Sequence, residues 1–352
     1  MTHKKTIAIL FGGCSGEYEI SLKSAYAIIT HFDSHKYEPI LIGITRNGEW
    51  FRYKGNVENI KDNTWFNAED LTRAIVSPCR ETHGLIEFGK DGPIFISLDA
   101  ALPVLHGKYG EDGTVQGLLE LAGIPIVGCN TMSSALCMDK DRAHKIVGLN
   151  GIRVPKAFVI NNMIDVESIL NQAAIIGYPL FVKPVKAGSS LGISKVLSRS
   201  NLLTAIEAAF LHDNEVIIEE SITGVEIGCA VLGNDELIVG ELDEIEIADN
   251  FFDFTEKYSL VNSAIHVPAR ISPQKTAEIK ETARHIYRAL GCSGFARVDV
   301  FLTLSGEIVF NEVNTIPGFT VNSRYPKMMQ AAGYPLEQVI SMAIELAVKQ
   351  NP

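Results

Sequence analysis

The sequence predicts a three-domain protein of mixed α/β and α+β class, and three observations carry that expectation. The first 130 or so residues alternate apolar strand-like runs with helical stripes, the pattern of a mostly parallel, doubly wound sheet. The last third is rich in strands and broken by one long amphipathic helix. The chain has 352 residues, and at ~150 residues per domain that length makes two or three units. The expected boundaries are 1–129, 130–223 and 224–352.

In the first unit, residues 6–11 are apolar and end at Gly12-Gly13, 21–30 read as helix, and 39–44 and 101–105 as buried strands. Within 114–122, Val115, Leu118, Leu119 and Ala122 recur at helical spacing, one packed stripe. Residues 124–128 close the unit. The middle unit runs from a helical start to a strand at 178–182, a Gly/Ser loop, a helix at 202–211 and a strand at 215–219. Strands at 225–232, 237–242, 295–302 and 307–313 make up the last unit. Its long helix has Ser272 as N-cap, Pro273 at the first position and Gly291 past the end. The stripe of that helix is Ile279, Ala283, Ile286, Tyr287 and Leu290.

Composition narrows the function. Apolar residues at 46% and charged residues at 21% are globular proportions, which excludes a largely disordered chain. A net charge of −11 without any Lys/Arg run argues against nucleic acid or an anionic membrane as partner. An anionic substrate then needs a local basic patch. No apolar run approaches the eighteen or so residues of a membrane span. Lys4-Lys5 before the first apolar run, with Cys14 after it, faintly resembles a leader, but the run is short and Glu17 and Glu19 follow at once. Six scattered cysteines without a C-x-x-C pair are the pattern of a reduced, cytoplasmic protein with no zinc site.

The most informative stretch is a hairpin. With Ser305-Gly306 as a two-residue turn, Leu304 opposes Glu307, Asp299 opposes Glu312 and Arg297 opposes Asn314. All four then share one face, because strand faces alternate. Carboxylates facing each other at about 5 Å repel unless a positive charge lies between them. Asp299, Glu312 and Asn314 offer hard oxygens that suit magnesium bridging to phosphates. The alternative is a solvated acidic face with Arg297 as counter-ion. Against it, Val298, Val300 and Val309 are expected to pack one side while Phe301 and Phe310 flank the carboxylates.

Four other segments can carry chemistry, each with a plainer reading beside it. Residues 183–192, KPVKAGSSLG, follow a buried strand and offer amides, hydroxyls and lysines to phosphate, or simply make a turn. The chain contains no Walker A motif, and Gly12 to Gly16 does not match G-x-G-x-x-G. Glu17 falls in the first turn of a helix capped by Ser15, where the helix dipole alone accounts for it. His106 to Gly113 is a glycine-rich loop at a strand's carboxyl end, where open sheets bind ligands, or an ordinary connection capped by Asp112 or Thr114. Residues 251–258, FFDFTEKY, read as a lid that buries its aromatics on closing or as an edge strand.

Taken in order, these segments resemble the D-alanine–D-alanine ligases of the ATP-grasp superfamily over nearly the whole chain. The similarity runs from Ile7 to about Gly333, and its carriers are Glu17 to Leu22, His106-Gly107 with Gly110 to Gly113, Met138-Asp139-Lys140, Lys183-Pro184 with Gly188-Ser189-Ser190, Glu256-Lys257-Tyr258, Arg297-Val298-Asp299 and Asn311 to Gly318. The resemblance implies a three-domain ATP-grasp fold with a lid at about 248–259. ATP would phosphorylate one D-alanine, and the amine of a second D-amino acid would then displace phosphate. It further implies that Lys140, Lys183, Gly188 and Ser190 hold ATP phosphates. Glu219, Glu220, Ile222 and Glu226 would line the nucleotide pocket, and Asp299, Glu312 and Asn314 would hold two magnesium ions, with manganese as an alternative. Glu17 would bind the first ammonium, linked through Ser189 to Tyr258. Arg297 and the Gly318 amide would stabilise the oxyanion, and Lys257 would contact the transferring phosphate. Such a cage is chemically sensible, because phosphoryl transfer rests on positioning and charge neutralisation. The resemblance also implies a cytoplasmic homodimer.

Two departures point within the family. Ser323-Arg324 stands where typical members have Ser-Leu or Ser-Met, and Phe251-Phe252-Asp253-Phe254 replaces Phe-Tyr-Asp-Tyr. Both are similar to the vancomycin-resistance ligases that make D-alanyl-D-serine, the VanC and VanG types. Arg324 offers N–H donors to a serine hydroxyl, Asp243 is the expected carboxylate partner, and Phe252 would close the pocket. Lys257-Tyr258 argues against D-lactate as second substrate. An ordinary D-alanine–D-alanine ligase is the nearest competing expectation, ahead of a non-catalytic nucleotide-binding regulator and a nicotinamide dehydrogenase.

Overall fold

The computed structural model describes residues 4–67, 69, 71–188, 191–247 and 263–349, which form three sheets in chain order. The first holds β1 (Lys5–Gly12), β2 (Tyr37–Ile44), β3 (Trp50–Tyr53), β4 (Leu71–Val76), β5 (Gly84–Gly89), β6 (Gly92–Ser97) and β7 (Ala100–Val104), in the order β6-β5-β4-β3-β2-β1-β7. Strand β1 runs parallel to both neighbours. Its residues Ile7 to Phe11 are fully buried, as strands covered on both faces must be. To this parallel centre β3–β6 add an antiparallel extension that the helix–strand alternation did not reveal.

The second sheet is antiparallel, β10-β9-β11-β8, from β8 (Ala157–Ile160), β9 (Leu180–Pro184), β10 (Ser194–Val196) and β11 (Val216–Glu220). The helices Val166–Ile176 and Leu202–Phe210 bury Ile169, Ala173, Ile206 and Ala209 against it.

The third sheet, β14-β13-β12-β15-β16, is built from β12 (Gly224–Gly233), β13 (Leu237–Ile247), β14 (Ser263–His266), β15 (Phe295–Thr303) and β16 (Ile308–Asn314). Its covering helix is Pro273–Ala289, capped as expected by the Ser272 hydroxyl accepting from the Lys275 N–H. The predicted stripe Ile279, Ala283, Ile286, Tyr287 and Leu290 is buried against β12, β13 and β15. The aliphatic side chains Ile279, Ile286 and Leu290 each contribute about 1.5–3 kcal/mol of burial.

The β15–β16 hairpin reaches its expected pairing by an unexpected route. Thr303 donates to the Glu307 carbonyl (3.0 Å), so the turn holds three residues rather than two, with Gly306 at φ +82°. A left-handed glycine closing a three-residue loop explains the choice. That turn pairs Val300 with Phe310 and Phe301 with Val309. A bulge at Asn311 then absorbs one residue, and Asp299 faces Glu312 and Arg297 faces Asn314 as predicted. The bulge also corrects one expectation. Phe310 packs in the core with Val298 and Val300 and does not flank the carboxylates, whereas Val309 shares the face of Phe301.

Candidate active site

One row of residues crosses four strands of the third sheet. Asp243 on β13 pairs with Gly228 on β12, Gly228 with Asp299 on β15, and Asp299 with Glu312 on β16. Three carboxylates therefore share one face, and Asp243 and Asp299 are 0% exposed. Two guanidiniums make this tolerable. Arg297, two residues along β15 and so on the same face, grips Asp299 with Nε at 2.8 Å and Nη2 at 2.7 Å. Arg324 enters from the first turn of the helix Arg324–Ala331 and grips Asp243 with Nε at 2.7 Å and Nη2 at 2.8 Å. Its Nη1 donates to Glu226 at 2.9 Å, and its Nη2 lies 3.5 Å from Asp299. The partner expected for Arg324, Asp243, is the one it has.

Gly228 makes this possible, and its role was not foreseen. A Cβ there would overlap both Arg324 Nη2 and Asp243 Oδ1, while its N–H donates to Asp243 Oδ1 at 2.8 Å. Gly228→Ala is therefore expected to push the guanidinium off its carboxylates, at a cost of about 1–3 kcal/mol. A urea unfolding midpoint equal to wild type would show that the row tolerates a methyl group.

Charge follows this geometry. Burial raises the Asp243 carboxyl, but the charge and hydrogen bonds of Arg324 overcome it and hold the group below the ordinary 3.8. Glu226 moves the other way. Burial raises it, and Asp299 and Glu312 add to the rise against the pull of Arg324.

Two cavities of about 440 Å³ each meet at a shared wall of Lys140, Ala187, Gly188, Arg297, Glu312 and Arg324. The first is bounded by Glu17, Glu111, Asn314, Gly318 and Ser323. The second is bounded by Lys183, Glu219, Glu220, Ile222 and Glu226. Lys140 opens a helix capped by Asp139, and its Nζ donates to the Ala187 carbonyl at 2.7 Å. Lys183 on β9 forms an ion pair with Glu219 on β11. Asn314, with its amide turned to suit its neighbours, accepts from Arg297 Nη2 (3.3 Å) and donates to Glu111 Oε1 (2.9 Å). Ser323 turns its hydroxyl to Thr320, with Oγ1 at 2.8 Å, and so serves the loop that also carries Gly318.

Glu17 is placed differently from the expectation. The helix begins at Tyr18, so Glu17 is itself the N-cap residue, and Ser15 is not. Ser15 Oγ instead accepts from the Glu17 N–H (3.1 Å) and donates to the His106 carbonyl (2.6 Å). A Cβ on Gly107 would lie 2.6 Å from Glu17 Oε2 and one on Gly188 at 3.1 Å, so two glycine loops converge on this carboxylate. Of the remaining expected site residues, Ser189, Ser190, Phe252, Lys257 and Tyr258, with the 248–259 segment, lie outside the described residues. Among the described residues no group of three or more His, Cys, Asp or Glu is arranged to hold a metal ion. Sequence reasoning missed Glu111 as the partner of Asn314, although the residue stood in the glycine-rich loop.

A sheet carrying buried guanidinium–carboxylate pairs beside a lysine-lined antiparallel sheet, with a two-lobed cleft at the glycine loops of the first sheet, is the build of an ATP-grasp protein. The chain belongs to the D-alanine–D-alanine ligase family. The family models "D-ala D-ala ligase N-terminus" and "D-ala D-ala ligase C-terminus" match residues 6–129 and 150–345. A putative D-alanine–D-lactate ligase of Streptomyces coelicolor is 44% identical, over 97% of each chain. A D-alanine–D-alanine ligase of Caldicellulosiruptor bescii is 45% identical, over 99% of this chain and 96% of that one. The crystal structure of the VanG D-Ala:D-Ser ligase from Enterococcus faecalis superposes with a TM-score of 0.92 at 55% identity, covering 98% of this chain and all of that one.

Proposed function

We propose that this enzyme joins D-alanine to D-serine at the cost of one ATP, supplying cell-wall precursors with reduced vancomycin affinity. Phosphoryl transfer to the carboxylate of the first D-alanine gives an acyl phosphate and ADP. The amine of D-serine then attacks the carbonyl carbon, the C–O bond to phosphate breaks, and the peptide and phosphate leave. One observation carries the choice of serine. Arg324 lines both cavities and spends Nε and two further N–H groups on Asp243 and Glu226, which leaves N–H donors for a hydroxyl.

The positions of the described residues support the other roles. Lys140 and Lys183 neutralise ATP phosphates, with Gly188 and Ser190 contributing loop amides, while Glu219, Glu220, Ile222 and Glu226 line the nucleotide lobe. Glu17 holds the first ammonium. Arg297 and the Gly318 amide stabilise the oxyanion, since both border the first cavity. The donor set suits a divalent ion. Glu312 faces both cavities, and the Glu312 and Asp299 carboxylates with the Asn314 amide oxygen are hard oxygen donors on one face of the sheet. Glu312 and Asn314 would hold magnesium, joined by Asp299 as it shares its oxygens with Arg297. When bound, magnesium supplies charge neutralisation at the transferring phosphate. Ser189, Lys257, Tyr258 and Phe252 complete the site on this reading. A homodimer belongs to it too, supported by edge strand β6, whose Ile94 and Phe95 are exposed.

The deciding assay measures phosphate release with D-alanine alone and with D-serine added. A rise of tenfold or more with D-serine, with D-alanyl-D-serine as the product, is the expected result. Equal rates and a D-alanyl-D-alanine product would instead make this an ordinary ligase.

A further inference from the structure

The hairpin turn by itself would set Asn311, not Glu312, opposite Asp299, and would turn Glu312 toward the core. Only the bulge at Asn311 brings Glu312 to the cleft. Strand β16 is an edge strand, so nothing in its own sheet holds the bulge from outside. Two residues of the chain segment 140–153 do. The Arg153 carbonyl accepts from the Phe310 N–H at 2.8 Å. His144, on the helix Lys140–Leu149, places Nε2 2.9 Å from the Asn311 carbonyl and sets its ring edge-to-face on Phe310 at 5.5 Å.

We infer that His144 is a positioning residue that holds the Asn311 bulge and thereby aims Glu312 at the metal and the phosphates. Because its partner is a carbonyl, Nε2 carries the proton. Nδ1 is buried with no hydrogen-bond partner among the described residues, so the ring is the neutral tautomer. Burial lowers its proton affinity and keeps it neutral, with Lys140 and Lys183 adding to that effect and Glu219 opposing it. His144 also stands one helical turn after Lys140, which borders both cavities. A single helix therefore places the phosphate lysine and the clamp on the carboxylate strand, fixing one relative to the other.

The inference rests on the magnesium–ATP reading above but not on the choice of second substrate. The test uses the full chain in two variants, His144→Gln and His144→Asn. Glutamine can bring an N–H to the Nε2 position; asparagine is one methylene too short. Calorimetry measures affinity for a non-hydrolysable ATP analogue, once with magnesium and once with chelator. Wild type and H144Q are expected to share the magnesium enhancement within about threefold, whereas H144N loses tenfold or more. Affinity in chelator should stay alike in all three. Because both variants bury the same carboxamide, a purely structural role would affect them alike, and equal enhancement in both would overturn the inference. A wild-type affinity indifferent to magnesium would overturn the metal reading itself, and this inference with it.

Discussion

Replacing Arg324 by leucine is expected to lower folding stability by about 3–5 kcal/mol, because it strands a buried carboxylate. Asp243 has no exposure and receives two of the Arg324 hydrogen bonds, so among the described residues leucine leaves it only the Gly228 N–H. The same change is expected to reduce D-serine use relative to D-alanine by roughly tenfold to a hundredfold, the value of an unpaired hydroxyl in a closed site. Two measurements separate the effects. Adding Asp243→Asn to R324L should recover much of the stability, since the amide oxygen still accepts from Gly228 and no buried charge remains. Selectivity should stay lost in the double variant. Acidity supplies a further check. In wild type the Asp243 carboxyl is depressed, so its contribution is present above about pH 4 and lost as pH falls below the depressed value. Without Arg324, burial dominates and raises it, so the R324L deficit should shrink as pH falls from neutrality toward 4. A deficit independent of pH would argue that Asp243 is not the stranded group.

The second large effect is expected from Glu312→Gln and Asp299→Asn, which should behave differently from each other. Glu312 is partly exposed to both lobes of the cleft. Its amide variant should keep the fold while magnesium-dependent ATP turnover falls about a hundredfold or more. From the facing carboxylates alone, removing either charge would be expected to relieve repulsion and to stabilise the fold without metal. The structure reverses that for Asp299. Arg297 already sits on it with three close contacts, and Arg324 approaches from the other side. D299N should thus lose both turnover and about 3 kcal/mol of stability, as breaking a buried ion pair does. Turnover across a magnesium titration and a urea midpoint read the two effects. Near-normal turnover in E312Q would remove Glu312 from the metal site.

How much of this was legible follows from where each interaction lies along the chain. The helix Thr114–Ala122 coincides with its predicted bounds because its stripe repeats every three or four residues. The Ser272 cap is equally local, a hydroxyl meeting an N–H three residues on. The carboxylate row was half visible, since Asp299 and Glu312 lie on one hairpin and alternation alone assigns their face. Yet the predicted two-residue turn and unbroken ladder were each off by one residue, in directions that cancelled. Sequence periodicity cannot detect such a bulge, because its causes, the His144 ring and the Arg153 carbonyl, sit more than 150 residues away.

The sequence by itself determined the parallel centre of the first sheet, the hairpin and covering helix of the third, the family, and the residue types that gather at the cleft. Local hydrogen bonding and the period of apolar side chains are written in neighbouring residues. Beyond the Arg324–Asp243 pair, which the sequence anticipated, only the tertiary structure decided which charges neutralise which. Arg324 meets Asp243 across 81 residues and Glu226 across 98. Gly228 must be small because two other strands and a helix bring charged atoms over it. Burying a guanidinium costs so much in water-free surroundings that its partners must be complete. That completeness exists only once β12, β13, β15 and the Arg324 helix have packed together.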